Sequence, residues 1–486
     1  MHYTQLISKI QVLTFWKNPR FILALILSVF FLKGVFLATI TPIFVGQDES
    51  RHYSSVQYLA EPRPITWPLI GKDLTEKEGF EVYNYSQEVQ GTARAIEHDK
   101  VNDYLFSTYF FIQRYDGKNE TEINNNNWHQ YNEYASPNIA GKYLYHHLAS
   151  GIEKIFGEQS ILVRYFLVRI FSVFLGMLTI LFSYLIAKNI GLSSKNSLLL
   201  TAIIAFQPRF SIYSATISYD VLLILMFALF TFGCVLALKN GPNWKNIPLI
   251  MASIYLGIRA KPTAYILVIG AALLFAYFAY EKVKNKSKNI KYVTGLLIAS
   301  AAVIILIYFK NHFVGSVNSF AIFATSINNY LHESLTAGRF ALSSRTYWGS
   351  LGWVDNWFLG NATDIIWGIE AFAVAGIVFF FVSKRPEHLP ERKYIVFLVV
   401  MIILLQFGIR AADWTIFRNL GSLELGTPGR YFLPNLTTHI ILVFIGIGAL
   451  LQKKIYFERL LIMGLIIMMT FMMYIIFDTM IFRFYM

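Results

Sequence analysis

Apolar residues in this chain come in long unbroken runs, and the polar residues collect between them. Residues 21–45 are almost wholly hydrophobic and long enough to cross a bilayer as one helix. Later runs lie at 161–187, 198–217, 220–238, 246–258, 263–280, 292–309, 363–382, 393–410, 431–451 and 460–481. Continuous runs call for helices, which satisfy their own backbone in lipid; a β-barrel would alternate, and is excluded. The pattern predicts an all-α polytopic membrane protein with about 11 transmembrane helices. The weakest pair is 246–258 and 263–280: the first run is short, and they meet at Arg259-Ala260-Lys261-Pro262, a basic corner that two half-helices would share.

Two longer polar stretches interrupt the runs. The first, 46–160, is expected to be a folded external loop carrying surface helices. Tyr53, Val56 and Ala60 share one helical face before Glu61-Pro62-Arg63-Pro64 stops it. Ile139, Tyr143, Leu144, Leu148, Ile152 and Ile155 form a stripe suited to a helix lying on a membrane surface. The chain then divides into a transmembrane core (1–309), a second external loop (310–362) and C-terminal helices (363–486).

Charge fixes the orientation. The net charge of +13 invites a nucleic-acid reading, but its distribution excludes one. Lys9, Lys17 and Arg20 precede the first run and place the N-terminus in the cytoplasm. Alternation then puts Lys188, Lys195, Lys239, Lys245, Lys384, Lys453 and Lys454 on that same side. The 46–160 segment carries seventeen acids against ten Lys or Arg, a net of −7, and falls outside. No cleavable signal is expected, because the first run is too long. The single cysteine, Cys234, offers neither a disulfide framework nor a cysteine metal site.

Four groups could carry chemistry, all on the outer side by this topology. Asp48-Glu49 follows the first span; a carboxylate there can take the proton of an acceptor hydroxyl as its oxygen attacks, or can simply cap a helix or bind an arginine. A basic set follows: Arg164, Arg169, Arg209, Arg259, Lys261 and Arg430. Arginine in or near a span is costly unless it meets an anion, and the guanidinium fork matches phosphate oxygens. Together these cations suggest a phosphate or diphosphate site, with Arg169 the one best suited to a structural role. Asp220 could orient an arginine, join Asp48 about a divalent cation, or cap its helix. No histidine or carboxylate cluster supports a metal, so a divalent cation is left open and no other cofactor is expected. Finally Arg345, Trp348, Trp353 and Asp355 lie in an aromatic external stretch able to stack on sugar rings, though such residues also gather at interfaces for amphipathic reasons.

In order along the chain these stretches resemble the GT-C class of membrane glycosyltransferases, which includes protein O-mannosyltransferases, aminoarabinose transferases and a group of bacterial polytopic proteins. Asp48-Glu49 matches the acidic position after the first span. Pro208 with Asp220, Lys261 to Thr263, Gly352-Trp353 with Asp355, and Gly429 to Phe432 followed by Pro434 match further short motifs. The resemblance implies an inverting transfer of a sugar from a polyprenyl-phosphate donor to a glycan or other acceptor outside the cytoplasm of a bacterial inner membrane. It also implies Asp48 as general base supported by Glu49, with Arg209, Lys261 and Arg430 binding and neutralising the lipid phosphate as it leaves; Tyr431 is counted with the substrate-binding residues. A flippase or exporter of lipid-linked saccharides and an O-antigen ligase or polymerase are the alternatives.

Overall fold

A computed structural model describes residues 18–60, 89, 143–284, 320–336, 338–349, 357–420 and 427–481. Among them every regular element is a helix. Helix α1 (Pro19–Ile40) starts on Asn18, whose side chain accepts from the Arg20 amide, with Pro19 at the first helical position. After it come α2 (Glu49–Ala60), α3 (Leu144–Ile155) and α4 (Ile161–Asn189). The chain continues through α5 (Ser194–Ala205), α6 (Pro208–Ser214), α7 (Tyr219–Asn240) and α8 (Asn246–Ala260). A 3-10 turn (Pro262–Ala264) leads into α9 (Tyr265–Lys284), and α10 (Phe320–Thr336), α11 (Arg339–Trp348), α12 (Trp357–Val382) and α13 (Arg392–Leu420) follow. A 3-10 helix (Gly429–Asn435) opens α14 (Leu436–Leu451), and α15 (Lys454–Tyr474) passes into a π-helical turn (Ile475–Ile481).

Eight of the described helices are long and apolar enough to cross a membrane, against the eleven runs counted in the sequence. One expected span, 292–309, lies outside the described residues. The 198–217 run is cut in two, because Pro208 lacks an amide to donate and starts a new helix capped by the Gln207 side chain. The severed end of α5 is satisfied from α1, where Lys33 Nζ donates to the Ala205 carbonyl and, at 2.7 Å, to Ser211 Oγ. The 246–258 run becomes the 15-residue α8, too short to count by length. In the stretch read as the second external loop, α10 and α11 are helical, and α13 runs past residue 410 to Leu420. That extension buries Trp414 and Phe417 against Tyr330 of α10.

Helix α7 is the axle. Its most apolar window is 83% buried, so an all-apolar surface meets protein on every side. It packs on α4, α8 and the Gly429–Asn435 turn. By contrast α12 is only 17% buried over its window and presents Ile365, Ile369 and Phe372 outward, as a lipid-facing helix does. It meets α14 where Gly376 and Gly446 lie face to face, and a Cβ on either would strike the other helix's backbone. In α3 the buried face carries His146 and Glu153, while Leu148 and Ile155 of the expected surface stripe stand exposed.

The helix ends sort into two sets. At one end Lys239 reaches Asn189 and Lys195 pairs with Glu458. At the other end lie the turn after α1, the α6–α7 turn, the α8–α9 corner and the Gly429–Asn435 helix, each contributing to the group of side chains described next.

Candidate functional site

Between Ile40 and Glu49 the chain makes a tight turn in which Phe44 (φ 63°) and Asp48 (φ 58°) adopt left-handed backbone, a region aspartate tolerates better than most residues. That conformation sends two consecutive acids to different surroundings. Glu49 is fully buried and takes a forked grip from Arg169, Nε to Oε1 at 2.8 Å and Nη2 to Oε2 at 2.8 Å. The Gly46 amide donates to Oε2 at 3.0 Å and the Ile217 amide to Oε1 at 2.9 Å. Arg169 spends its other donors on the Ala38, Thr41 and Pro42 carbonyls at 2.8, 2.6 and 2.9 Å, closing the C-terminal end of α1. Both oxygens of Glu49 are thus committed to the scaffold. The sequence reading of Glu49 as a catalytic partner is corrected to a structural one, and Arg169 holds the structural place expected of it.

Asp48 faces the other way, its side chain 27% exposed, with Oδ2 accepting from Arg430 Nη2 at 3.1 Å. Arg430 Nη1 donates to the Tyr213 hydroxyl at 3.3 Å, and its buried Nε has no hydrogen-bond partner. Tyr213 in turn donates to Asp220 Oδ2 at 3.4 Å, and Lys261 Nζ pairs with Asp220 Oδ1 at 2.7 Å. Asp48, Arg430, Tyr213, Asp220 and Lys261 form one alternating network drawn from five separate segments of chain. Tyr431 lies beside both cations, with Lys261 Nζ 4.4 Å and the Arg430 guanidinium 5.2 Å from its ring centre. Arg209 joins the edge of the group, donating to Gln47 Oε1 at 2.9 Å and stacking over Tyr213.

The other sites named from sequence lie elsewhere. Arg164 is buried against Glu153, which also accepts from Tyr53, and so ties α4 to α3 and α2, away from the network. Arg259 stands exposed in the last turn of α8, where a cation suits the helix end. Arg345 sits half-buried in the last turn of α11. Trp353 and Asp355 lie outside the described residues.

Sequence reasoning missed Tyr213, gave no role to Tyr219, which it grouped with Asp220, and did not pair His52 with His146. His52 Nδ1 is 3.2 Å from His146 Nε2, and the His52 ring meets Tyr219 edge-on at 4.6 Å. Tyr219 lies under Lys261 Nζ at 4.9 Å, so the imidazoles back directly onto the network. Burial, and after it the charges of Arg430, Lys261 and Arg51, hold His52 well below the usual imidazole range; burial does the same to His146. The spacing of Tyr213 one turn after Arg209 was the available signal; no local pattern pairs His52 with His146, 94 residues apart. Among the described residues no group of three or more His, Cys, Asp or Glu is placed to hold a metal ion.

A chain whose described residues form only helices, eight of them of membrane length, with a network of acids and cations at one end of the bundle, is an integral, multi-pass membrane protein. Residues 30–438 match the family described as "Predicted membrane protein (DUF2142)", and the chain belongs to that family. No curated protein and no solved structure matches the chain.

Proposed function

We propose that this protein is a glycosyltransferase that moves a sugar from a polyprenyl-phosphate donor to a hydroxyl of an extracytoplasmic acceptor, with Asp48 as general base. The observation that carries this reading is the contrast between the two acids. Glu49 has no oxygen to spare, while Asp48 is accessible and lies against a cationic group three side chains wide. In the reaction Asp48 takes the acceptor proton as the acceptor oxygen attacks the anomeric carbon from the face opposite the phosphate, giving inversion. The breaking bond leaves its electron pair on the phosphate oxygen. A singly charged phosphodiester becomes a doubly charged monoester, so Arg430 and Lys261, with Arg209 at the edge, stabilise the departing group more than the bound donor. The phosphate would replace Asp48 and Asp220 as partner of these cations, and the release of Asp48 from Arg430 frees it to accept a proton.

The membrane placement follows from charge. Lys188, Lys195, Lys239, Lys453 and Lys454 sit about the end of the bundle away from Asp48, which supports a cytoplasmic position for that end and an outward site in a bacterial inner membrane.

Asp48→Asn in the purified protein should lower sugar transfer from a polyprenyl-phosphate donor by about 10²–10⁴-fold while the protein folds and inserts normally. Transfer at the wild-type rate in that variant rejects the base assignment. Loss-free movement of lipid-linked saccharide across vesicles by Asp48→Asn, with no transfer by the wild type, favours a flippase.

A further inference from the structure

A second polar enclosure lies on the far side of the Gly429–Asn435 helix. While Arg430 of that helix turns to Asp48 and Tyr213, Phe432 and Asn435 line a separate cavity of about 240 Å³ between α11, α12, α13 and α14. Its polar lining includes Arg410, Gln406, Ser344, Asn435, His439 and Glu370. All but Ser344 lie within membrane-length helical segments, where ionisable side chains are costly and mark function by default.

Three of these residues hold buried polar atoms with no hydrogen-bond partner: Arg410 Nη1, Ser344 Oγ and Asn435 Oδ1. The guanidinium of Arg410 lies over the Phe340 ring at 4.6 Å and the Phe432 ring at 5.0 Å, which fixes its plane but offers no anion. Asn435 is held by its Nδ2, which donates to the Met401 carbonyl at 2.7 Å, so its oxygen is left for a donor from within the cavity. Glu370 is engaged in the wall: Trp348 Nε1 donates to Oε1 at 3.3 Å, and His439 Nε2 lies 3.7 Å from the same oxygen. The Tyr347 hydroxyl meets His439 Nδ1 at 2.8 Å. The vacant pattern is therefore a cation and a hydroxyl for an anion, and an amide oxygen with a carboxylate edge for hydroxyl donors.

Gln406 and Trp367 line the cavity and are exposed, and the apolar side chains of Ile403 and Ile369 beside them are exposed too, as on a surface that faces lipid. Its volume falls below the roughly 300–1,000 Å³ of drug-sized ligand sites. It has room for a polar head while the tails stay among the lipids.

We infer that the cavity framed by Arg410, Ser344, Asn435 and Glu370 binds the head of a membrane phospholipid, a phosphodiester carrying hydroxyl groups, drawn in sideways from the bilayer. Arg410 and Ser344 take the phosphate, and Asn435 and Glu370 accept from the head's hydroxyls. The site is independent of the transferase reading.

Native mass spectrometry of the full-length protein in maltoside micelles tests this, with phosphatidylglycerol, phosphatidylcholine and glycerol 3-phosphate added separately. The protein should retain one phosphatidylglycerol, at least tenfold more tightly than Arg410→Gln does. Gln406→Trp, which blocks the exposed mouth and leaves the buried contacts alone, should weaken retention similarly and decides the matter if Arg410→Gln does not fold. Asp48→Asn should retain the lipid as wild type does, which separates this site from the proposed base. Equal retention by the wild type and both cavity variants overturns the inference, as does equal binding of phosphatidylcholine or of tail-less glycerol 3-phosphate. Displacement of phosphatidylglycerol by an equimolar polyprenyl-phosphate hexose through Arg410 would assign the cavity to a sugar donor and overturn the phospholipid assignment.

Discussion

Asp48 and Glu49 are neighbours in sequence with opposite fates, and the left-handed turn at Asp48 divides them. Because Glu49 is fully enclosed with Arg169, removing its charge strands a buried guanidinium. Glu49→Gln should therefore destabilise the protein by about 3–5 kcal/mol, read as a lowered thermal midpoint in detergent, whereas Asp48→Asn should leave that midpoint near wild type. Equal midpoints for the two variants would contradict the division of roles. The histidine pair makes a second prediction. His52 and His146 stay neutral when folded, while an unfolded chain takes up protons on them near pH 6.5. Their folded affinity for protons is depressed, so stability is complete above about pH 6.5 and drains away as pH falls toward the depressed values. The thermal midpoint should hold steady from about pH 8 to 7, then decline below about 6.5, and decline less in His146→Gln; an identical slope in that variant would show the pair has no part in it.

Helices were the most legible elements, because length and continuity of apolar residues decide them. The spans at 161–187, 220–238, 263–280, 363–382 and 431–451 each reappear as helices within a few residues. The misses have local causes. Hydropathy averages over a window, so it ran through Pro208, where a missing amide and a Gln207 cap split the segment. It stopped at residue 410, because Arg410, Asp413 and Arg418 lower the mean, although their neighbours Trp414 and Phe417 keep the helix packed. Nor does hydropathy see backbone approach. Gly376 and Gly446 let α12 and α14 come together, and Gly446→Val would push a side chain into the Ala373 carbonyl. That change should cost about 1–3 kcal/mol, visible as a lower thermal midpoint; an unshifted midpoint would mean the helices separate freely.

For the whole molecule, sequence order located most of the ionised network and missed what joins it. Asp48, Asp220, Lys261 and Arg430 stood out as charges at the ends of apolar runs, and they do meet. Tyr213 links the two ion pairs, yet a tyrosine in an apolar stretch is indistinguishable by composition from one that only packs. Arg164 shows the converse error, since its charge was as visible as Arg430's but its partner, Glu153, lay across a stretch with no local signal. Charge marks candidates, and topology selects among them. Around them α7 serves as a fixed pillar, with Asp220 at its first turn, so the network rests on the most enclosed of the eight membrane-length helices described. The Lys33 contact reaches beyond the finished fold. A 12-residue helix such as α5 cannot traverse lipid unaided, and the carbonyl at its end takes one donor from Lys33 of α1 and another from Ser211 of α6. Lys33 nevertheless joins the first helix to both Ala205 and Ser211, so biogenesis of this protein is expected to keep the first helix beside the nascent chain until residues 194–214 emerge, a matter of delayed partnership and not of helices boarding the bilayer one by one.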